Sequence, residues 1–145
     1  MRTALLSLLV WTALCTSTAL AQAAGQPSCS RTCRAEDCNS LNIKYGKYCG
    51  VGYTGCRGEA PCDGVDKCCK KHDDCCDRHG LMYIPCHDRF IKCLSKEVAS
   101  GRKGFSDQCG YAQVVPLMQQ SMQVAMMFGT HDSAEVRRSQ AKGEL

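Results

Sequence analysis

Cys86, Phe90, Cys93 and Leu94 stand at i, i+4, i+7 and i+8, the spacing of one apolar helix face, and Glu97 falls next on the same stripe. Pro85 suits the first turn of that helix, where its missing N–H costs nothing. Ser100-Gly101 is the expected stop. Upstream, a second helix is predicted from Asp63 or Asp66, either of which can cap it, to about Arg78. Gly80 ends it, and the short connection to Pro85 makes the two helices antiparallel neighbours.

A third apolar stretch, VVPLMQQSMQVAMMF at 114–128, places Leu117, Met118, Met122, Ala125 and Met126 near one face. A methionine stripe at helical spacing fills irregular gaps in a core. By contrast, residues 45–64 hold six glycines and a proline and read as loop rather than helix or strand. Residues 24–44 are rich in Gly, Pro, Ser and Cys, and leave room for a short helix near Cys29 and Cys33. Residues 129–145 lack apolar spacing and are expected to form a mobile polar tail.

The start of the chain has a different pattern. Met1-Arg2, the apolar run ALLSLLVWTAL at 4–14 and the AQA at 21–23 describe a secretory signal cut after Ala23. The run is too short for a membrane span, and no later segment is apolar enough for one. The expected organisation is therefore a signal at 1–23, one domain at 24–128 and a tail at 129–145.

Composition adds one strong constraint. Fourteen cysteines in 145 residues, thirteen of them after the signal, mean disulfides in a chain bound for an oxidising lumen. With three Phe and five Tyr the apolar core is modest, so each bridge matters by about 2–5 kcal/mol. The net charge of +4 is spread along the chain, which gives no nucleic-acid stripe but permits attraction to an anionic surface.

Cysteine spacing then restricts the geometry. Cys68 and Cys75 are seven apart, hence on one helix face and about 10.5 Å apart along the axis. Cys86 and Cys93 repeat the interval. Antiparallel packing admits only Cys75 with Cys86 near the connection and Cys68 with Cys93 farther away, because crossing them exceeds the roughly 6–7 Å Cα limit.

Inside this clamp lies a single His-Asp pair, His72 and Asp73, within DKCCKKHDDCC. One helical step turns them about 100° apart, so they face different neighbours rather than each other. A zinc cluster built on the cysteine pairs is disfavoured by secretion, since zinc requires reduced thiolates. A plain staple carrying an incidental histidine is the other alternative.

The glycine-rich run YGKYCGVGYTG at 45–55 lets the backbone curl and turn carbonyls inward, an oxygen set suited to Ca²⁺. If Cys49 is bridged to Cys69, the cysteine of the pair left over by the clamp, the loop is held one helical turn from Asp73. No EF-hand series is present.

Together YGKYCGVGYTGC, PCDGVDKCC and KHDDC make residues 29–109 resemble the plant-type secretory phospholipases A2. The resemblance implies an all-α, small, disulfide-rich enzyme with two antiparallel disulfide-linked helices and a Gly-rich calcium-binding loop. It implies hydrolysis of the sn-2 ester of glycerophospholipids at a membrane surface. His72 resembles the catalytic histidine that activates water. Asp73 resembles the calcium carboxylate, with the carbonyls of Tyr48, Gly50 and either Gly52 or Tyr53 as loop ligands. The amide of Cys49 or Gly50 is the expected oxyanion donor. Activity is expected to fall on acidification through the usual histidine range, between about pH 8 and 5.

Two positions depart from the family pattern. Where many animal members place an aspartate next to the cysteine paired with Cys75, this chain has His87, which is expected to orient His72 directly or through water, while Asp88 faces solvent. If twelve cysteines pair, Cys76 is the remainder, expected to be a buried inert thiol. The pairings among Cys29, Cys33, Cys38, Cys56, Cys62 and Cys109 stay open. The ending KGEL resembles a K-D-E-L retrieval signal, which adds the endoplasmic reticulum to secretion as an expected location. A monomer with neither a nucleic-acid partner nor a membrane span completes the expectation. The rival readings are a silent lipid- or receptor-binding relative and a disulfide-rich structural or defence protein.

Overall fold

The computed structural model describes residues 29–132 together with 134, 138 and 141. The signal-like segment and the KGEL ending lie outside the described residues. Three helices carry the fold: α1, Gly64–His79, α2, Ile84–Ala99, and α3, Tyr111–Met127. The all-α, disulfide-rich expectation holds, with one small addition. A two-stranded antiparallel ribbon, β1 (Arg34–Glu36) with β2 (Lys44–Gly46), pairs Ala35 with Tyr45. It corrects the reading of 45–64 as loop throughout, and among the described residues no helix forms near Cys29 and Cys33. Three-residue strands are too short for alternation to show in a sequence.

Helix α1 starts where Asp63 caps it, its carboxylate accepting from the Asp66 amide at 2.9 Å. Gly80, with φ of 94°, ends it and donates to the Cys76 carbonyl. Pro85 lies in the first turn of α2, as expected. The predicted α2 stripe is the buried one, with Cys86, Phe90 and Leu94 inside. In α3 the buried positions are Tyr111, Val114, Val115 and Met118, with Leu117 and Met122 packed against the core. The methionine stripe is thus core in its first half. Beyond it Met127 and Phe128 are exposed.

Six disulfides link the described residues. Cys75–Cys86 and Cys68–Cys93 form the clamp, with Cα separations of 5.7 and 5.8 Å. Cys49–Cys69 holds the glycine loop to α1 at 5.1 Å. The pairs left open by spacing resolve as Cys29–Cys56, Cys33–Cys62 and Cys38–Cys109. Cys76 is the free thiol, half-buried rather than fully enclosed. The beginning of the tail is docked: Thr130 donates to Met82 O at 2.9 Å and accepts from the Ile84 amide at 3.0 Å. Residues 129 and 130 therefore belong to the fold, which corrects the expectation of a tail free from 129 onward.

Candidate active site

His72 lies on the inner face of α1, one turn before Cys75, where the Cys75–Cys86 bridge draws α2 close. Its Nε2 lies 2.9 Å from Nδ1 of His87. The contact is direct, and the arrangement follows from the clamp, since His87 immediately follows the bridged Cys86. Phe90, one turn along α2, stacks on the His72 ring at 4.7 Å between centroids and 27° between planes. An acceptor on one edge and a phenyl plate on one face fix the imidazole in two directions. Nδ1 is left over, and no described residue hydrogen-bonds it.

Burial, followed by repulsion from His87, lowers the His72 pKa to about 4. His87, 1 % exposed, is also pushed down by burial, an effect the Leu81 carbonyl partly offsets. Both rings are therefore neutral near pH 7. Burial thus holds the His72 ring below the usual histidine range.

With neutral rings, one proton lies between the two facing nitrogens. If His72 donates it from Nε2, its Nδ1 is an open lone pair and His87 carries its own proton on Nε2. That His87 nitrogen is buried and makes no hydrogen bond. The reverse arrangement, with His87 donating from Nδ1, would place the His72 proton on Nδ1 instead.

Asp73 turns away from His72, toward the loop, and accepts from Thr54 Oγ1 at 3.2 Å. Burial and the neighbouring Asp77, Asp74 and Asp66 raise its pKa, against the Thr54 hydrogen bond, to about 7. It takes part in no ion pair among the described residues. The loop beside it has Gly50 at φ 151° and Gly52 at φ 64°, the latter a left-handed conformation costly for a residue with Cβ. A side chain on Gly50 would run into the Ile43 carbonyl. Gly50 O accepts from Tyr53 N at 3.3 Å, which closes the turn. The Cys49 amide donates to Tyr45 O at 3.1 Å and is thereby consumed, so Gly50 is the oxyanion-donor candidate that remains.

The residue missed by sequence reasoning is Asp66. It does not cap α1; it is fully buried, and its carboxylate accepts from the backbone amides of Lys47, Tyr48 and Cys62 at 2.8–3.0 Å. Those three bonds hold the base of the glycine loop against α1. Gly46, at φ 68°, makes room, because a Cβ there would fall on the Asp66 carboxylate. The only sequence signal is a second acid just inside a helix that already has a cap.

A groove of about 480 Å³ reaches His72 from the disulfide side of the α1–α2 pair. Phe90 and both bridges line it, together with Lys71, Arg78 and Arg89. Neither Asp73 nor the glycine loop lines it.

The fold and site define a small disulfide-clamped helical protein with an imidazole pair inside the clamp and, on the next residue, a carboxylate tied to the glycine loop. No protein-family model matches the chain. It is 49 % identical over 115 residues to Phospholipase A2-gamma of Arabidopsis thaliana, covering 75 % of this chain and 62 % of that protein. It is 48 % identical over 99 residues to Probable phospholipase A2 homolog 1 of Oryza sativa subsp. japonica, covering 68 % and 72 %. Among solved structures, rice (Oryza sativa) PLA2 matches with TM-score 0.63 and 34 % identity over 68 % of this chain and 83 % of that one. The chain belongs to the phospholipase A2 family.

Proposed function

We propose that the protein hydrolyses the sn-2 ester of glycerophospholipids at a membrane surface, in a calcium-dependent reaction that releases a fatty acid and a lysophospholipid. The observation that carries this reading is the direct His72–His87 contact, which engages Nε2 and leaves Nδ1 of His72 open for a water proton. General-base assistance of this kind contributes about 10²–10⁴-fold. As the proton arrives on Nδ1, the Nε2–H bond to His87 steadies the cationic ring. The Gly50 amide is the donor placed for the developing oxyanion.

A bound cation fits the residues present. Asp73 is a half-buried carboxyl with one hydroxyl donor and no cationic side chain, and its raised pKa marks charge that the protein itself leaves uncompensated. The carbonyls of Tyr48, Gly50, and Gly52 or Tyr53 complete an all-oxygen set of the kind Ca²⁺ selects. When bound, Ca²⁺ supplies positive charge that polarises the ester carbonyl and offsets the oxyanion.

Features around the site agree with an amphiphilic substrate. The groove at His72 combines apolar walls with lysine and arginine side chains, and Val51 at the loop apex is 90 % exposed. A structure of the rice relative holds octanoic acid, a single-chain carboxylate. No helix of the described residues is long and apolar enough to cross a membrane. Twelve paired cysteines agree with passage through an oxidising secretory compartment.

The test is fatty-acid release from phospholipid vesicles with calcium and with chelator, repeated with His72→Gln. Release that needs both calcium and His72 is the expected result. Equal release in all conditions would overturn it, and vesicle binding without release would favour a silent lipid-binding relative.

A further inference from the structure

The free thiol faces the imidazole pair. Cys76 Sγ lies 3.5 Å from Nε2 of His72, which in turn lies 2.9 Å from Nδ1 of His87. One ligand atom from each of the three residues falls within 4.8 Å of the others. We propose that His72, Cys76 and His87 form a second metal site, for a thiophilic divalent ion of the Zn²⁺ type, and that filling it switches the catalytic histidine off.

The geometry argues for a site rather than a chance cluster. His72 and Cys76 are i and i+4 on α1, so they project side by side from one face. Cys76 and His87 each directly follow a cysteine of the Cys75–Cys86 bridge, which holds them in register across the two helices. In a tetrahedral zinc site with Zn–N near 2.0–2.1 Å and Zn–S near 2.3 Å, nitrogen ligands lie about 3.3 Å apart and sulfur and nitrogen about 3.6 Å apart. The observed 2.9 and 3.5 Å need shifts of a few tenths of an ångström, and Cys76 and His87, whose ligand atoms lie within 4.8 Å, close by at most about 1.2 Å. Two imidazoles and a thiolate leave one position open.

The donor set also sorts the metals. Calcium prefers oxygen, whereas nitrogen and sulfur donors select zinc-like ions, so excess calcium does not compete here. Burial and the acids Asp73 and Asp77 hold the Cys76 thiol up at about 11. The thiol is therefore protonated at neutral pH without a metal, and its proton goes to solvent when the metal–sulfur bond forms.

Inhibition follows from the tautomer. The contact atom of His72 is Nε2, and a neutral imidazole bound to a metal through Nε2 carries its proton on Nδ1. That is the nitrogen the hydrolytic reading needs open. This consequence rests on the proposed hydrolysis; metal binding does not.

The experiment uses the intact oxidised protein. Titration with Co²⁺ as a spectroscopic stand-in should give one equivalent of a tetrahedral species with a thiolate-to-cobalt charge-transfer band. Zn²⁺ should displace it. Cys76→Ala should abolish the band and weaken Zn²⁺ binding at least about tenfold. Circular dichroism confirms that the variant is folded, and Cys76→Ser provides a second, isosteric check. In vesicle assays at saturating calcium, Zn²⁺ should inhibit wild type, with inhibition in Cys76→Ala shifted by the same factor relative to its own zinc-free rate. Absence of the band in wild type, or its persistence in both variants, overturns the site. Inhibition relieved by calcium and indifferent to Cys76 would overturn the switch. If the protein proves not to hydrolyse lipid, the cobalt spectrum still decides the site.

Discussion

Nε2 of His72 faces Nδ1 of His87 across 2.9 Å, so the position of the proton on one ring dictates the chemistry of the other. The pair replaces the histidine–carboxylate arrangement expected in many animal relatives. Two neutral rings hold each other in a buried place without the cost of an ionised partner.

Replacing the acceptor tests this arrangement. His87→Phe removes the lone pair that fixes His72 and should lower kcat about 10–100-fold with little change in KM, read by steady-state kinetics. His87→Asp restores an acceptor and adds negative charge beside His72. Its acid limb should move upward, toward the usual histidine range, because an adjacent carboxylate favours the protonated ring. An unmoved limb would mean that position 87 does not act on the base.

The bounds of α1 and α2 and the clamp pairings were legible because helical period and cysteine spacing are local, and the seven-residue interval admits one antiparallel solution. Asp66 was not, because its partners are the amides of Lys47 and Tyr48, 19 and 18 residues away, and backbone donors leave no mark in a sequence. His72 and Asp73 stood out as a lone pair inside the clamp. The contact between Cys76 and His72 was missed because an unpaired thiol is usually inert, although His87 was already expected beside His72. The ribbon strands were too short to show a period.

Asp66 also carries a stability prediction. Asp66→Asn leaves one acceptor oxygen where two served three amides, and turns an NH₂ toward backbone donors. Burying unsatisfied donors costs about 1–3 kcal/mol each, so denaturant unfolding with disulfides intact should show at least that loss. Gly46→Ala should act on the same contact from the other side, through both its left-handed backbone and a Cβ against the carboxylate. Both should weaken calcium binding measured by calorimetry, since the loop base is released. Unchanged stability in both variants would remove Asp66 from the role of anchor.

The pH dependence should have two separable acid limbs. Asp73, raised to about 7, holds a proton that calcium must displace, so apparent calcium affinity should fall about tenfold per pH unit below that value. At limiting calcium, activity therefore falls as pH drops below about 7. At saturating calcium that limb retreats to lower pH, exposing the one set by His72, whose folded pKa of about 4 lies below its unfolded value. The sign for stability agrees. The unfolded chain binds the His72 proton first, so this contribution is present above about pH 6.5 and is lost as pH falls toward 4. Vesicle assays across pH at two calcium concentrations decide it, and a single limb that ignores calcium would exclude Asp73 as the ligand.

Removing bridges separates stability from chemistry. Deleting Cys75–Cys86 by a double alanine substitution opens a loop with a sequence separation of 11, worth about 3 kcal/mol in chain entropy. Deleting Cys29–Cys56, with a separation of 27, should cost at least as much by the same argument. Their effects on activity should differ. Cys75–Cys86 sets the register of His72 against His87, and a 1 Å slip there is enough to cost about 10²-fold in rate. Cys29–Cys56 joins the chain before β1 to the end of the glycine loop and touches neither ring. At a temperature where both variants remain folded by circular dichroism, the first should lose most of its kcat and the second little. Equal losses would show that the clamp serves only stability and that the imidazole pair assembles without it.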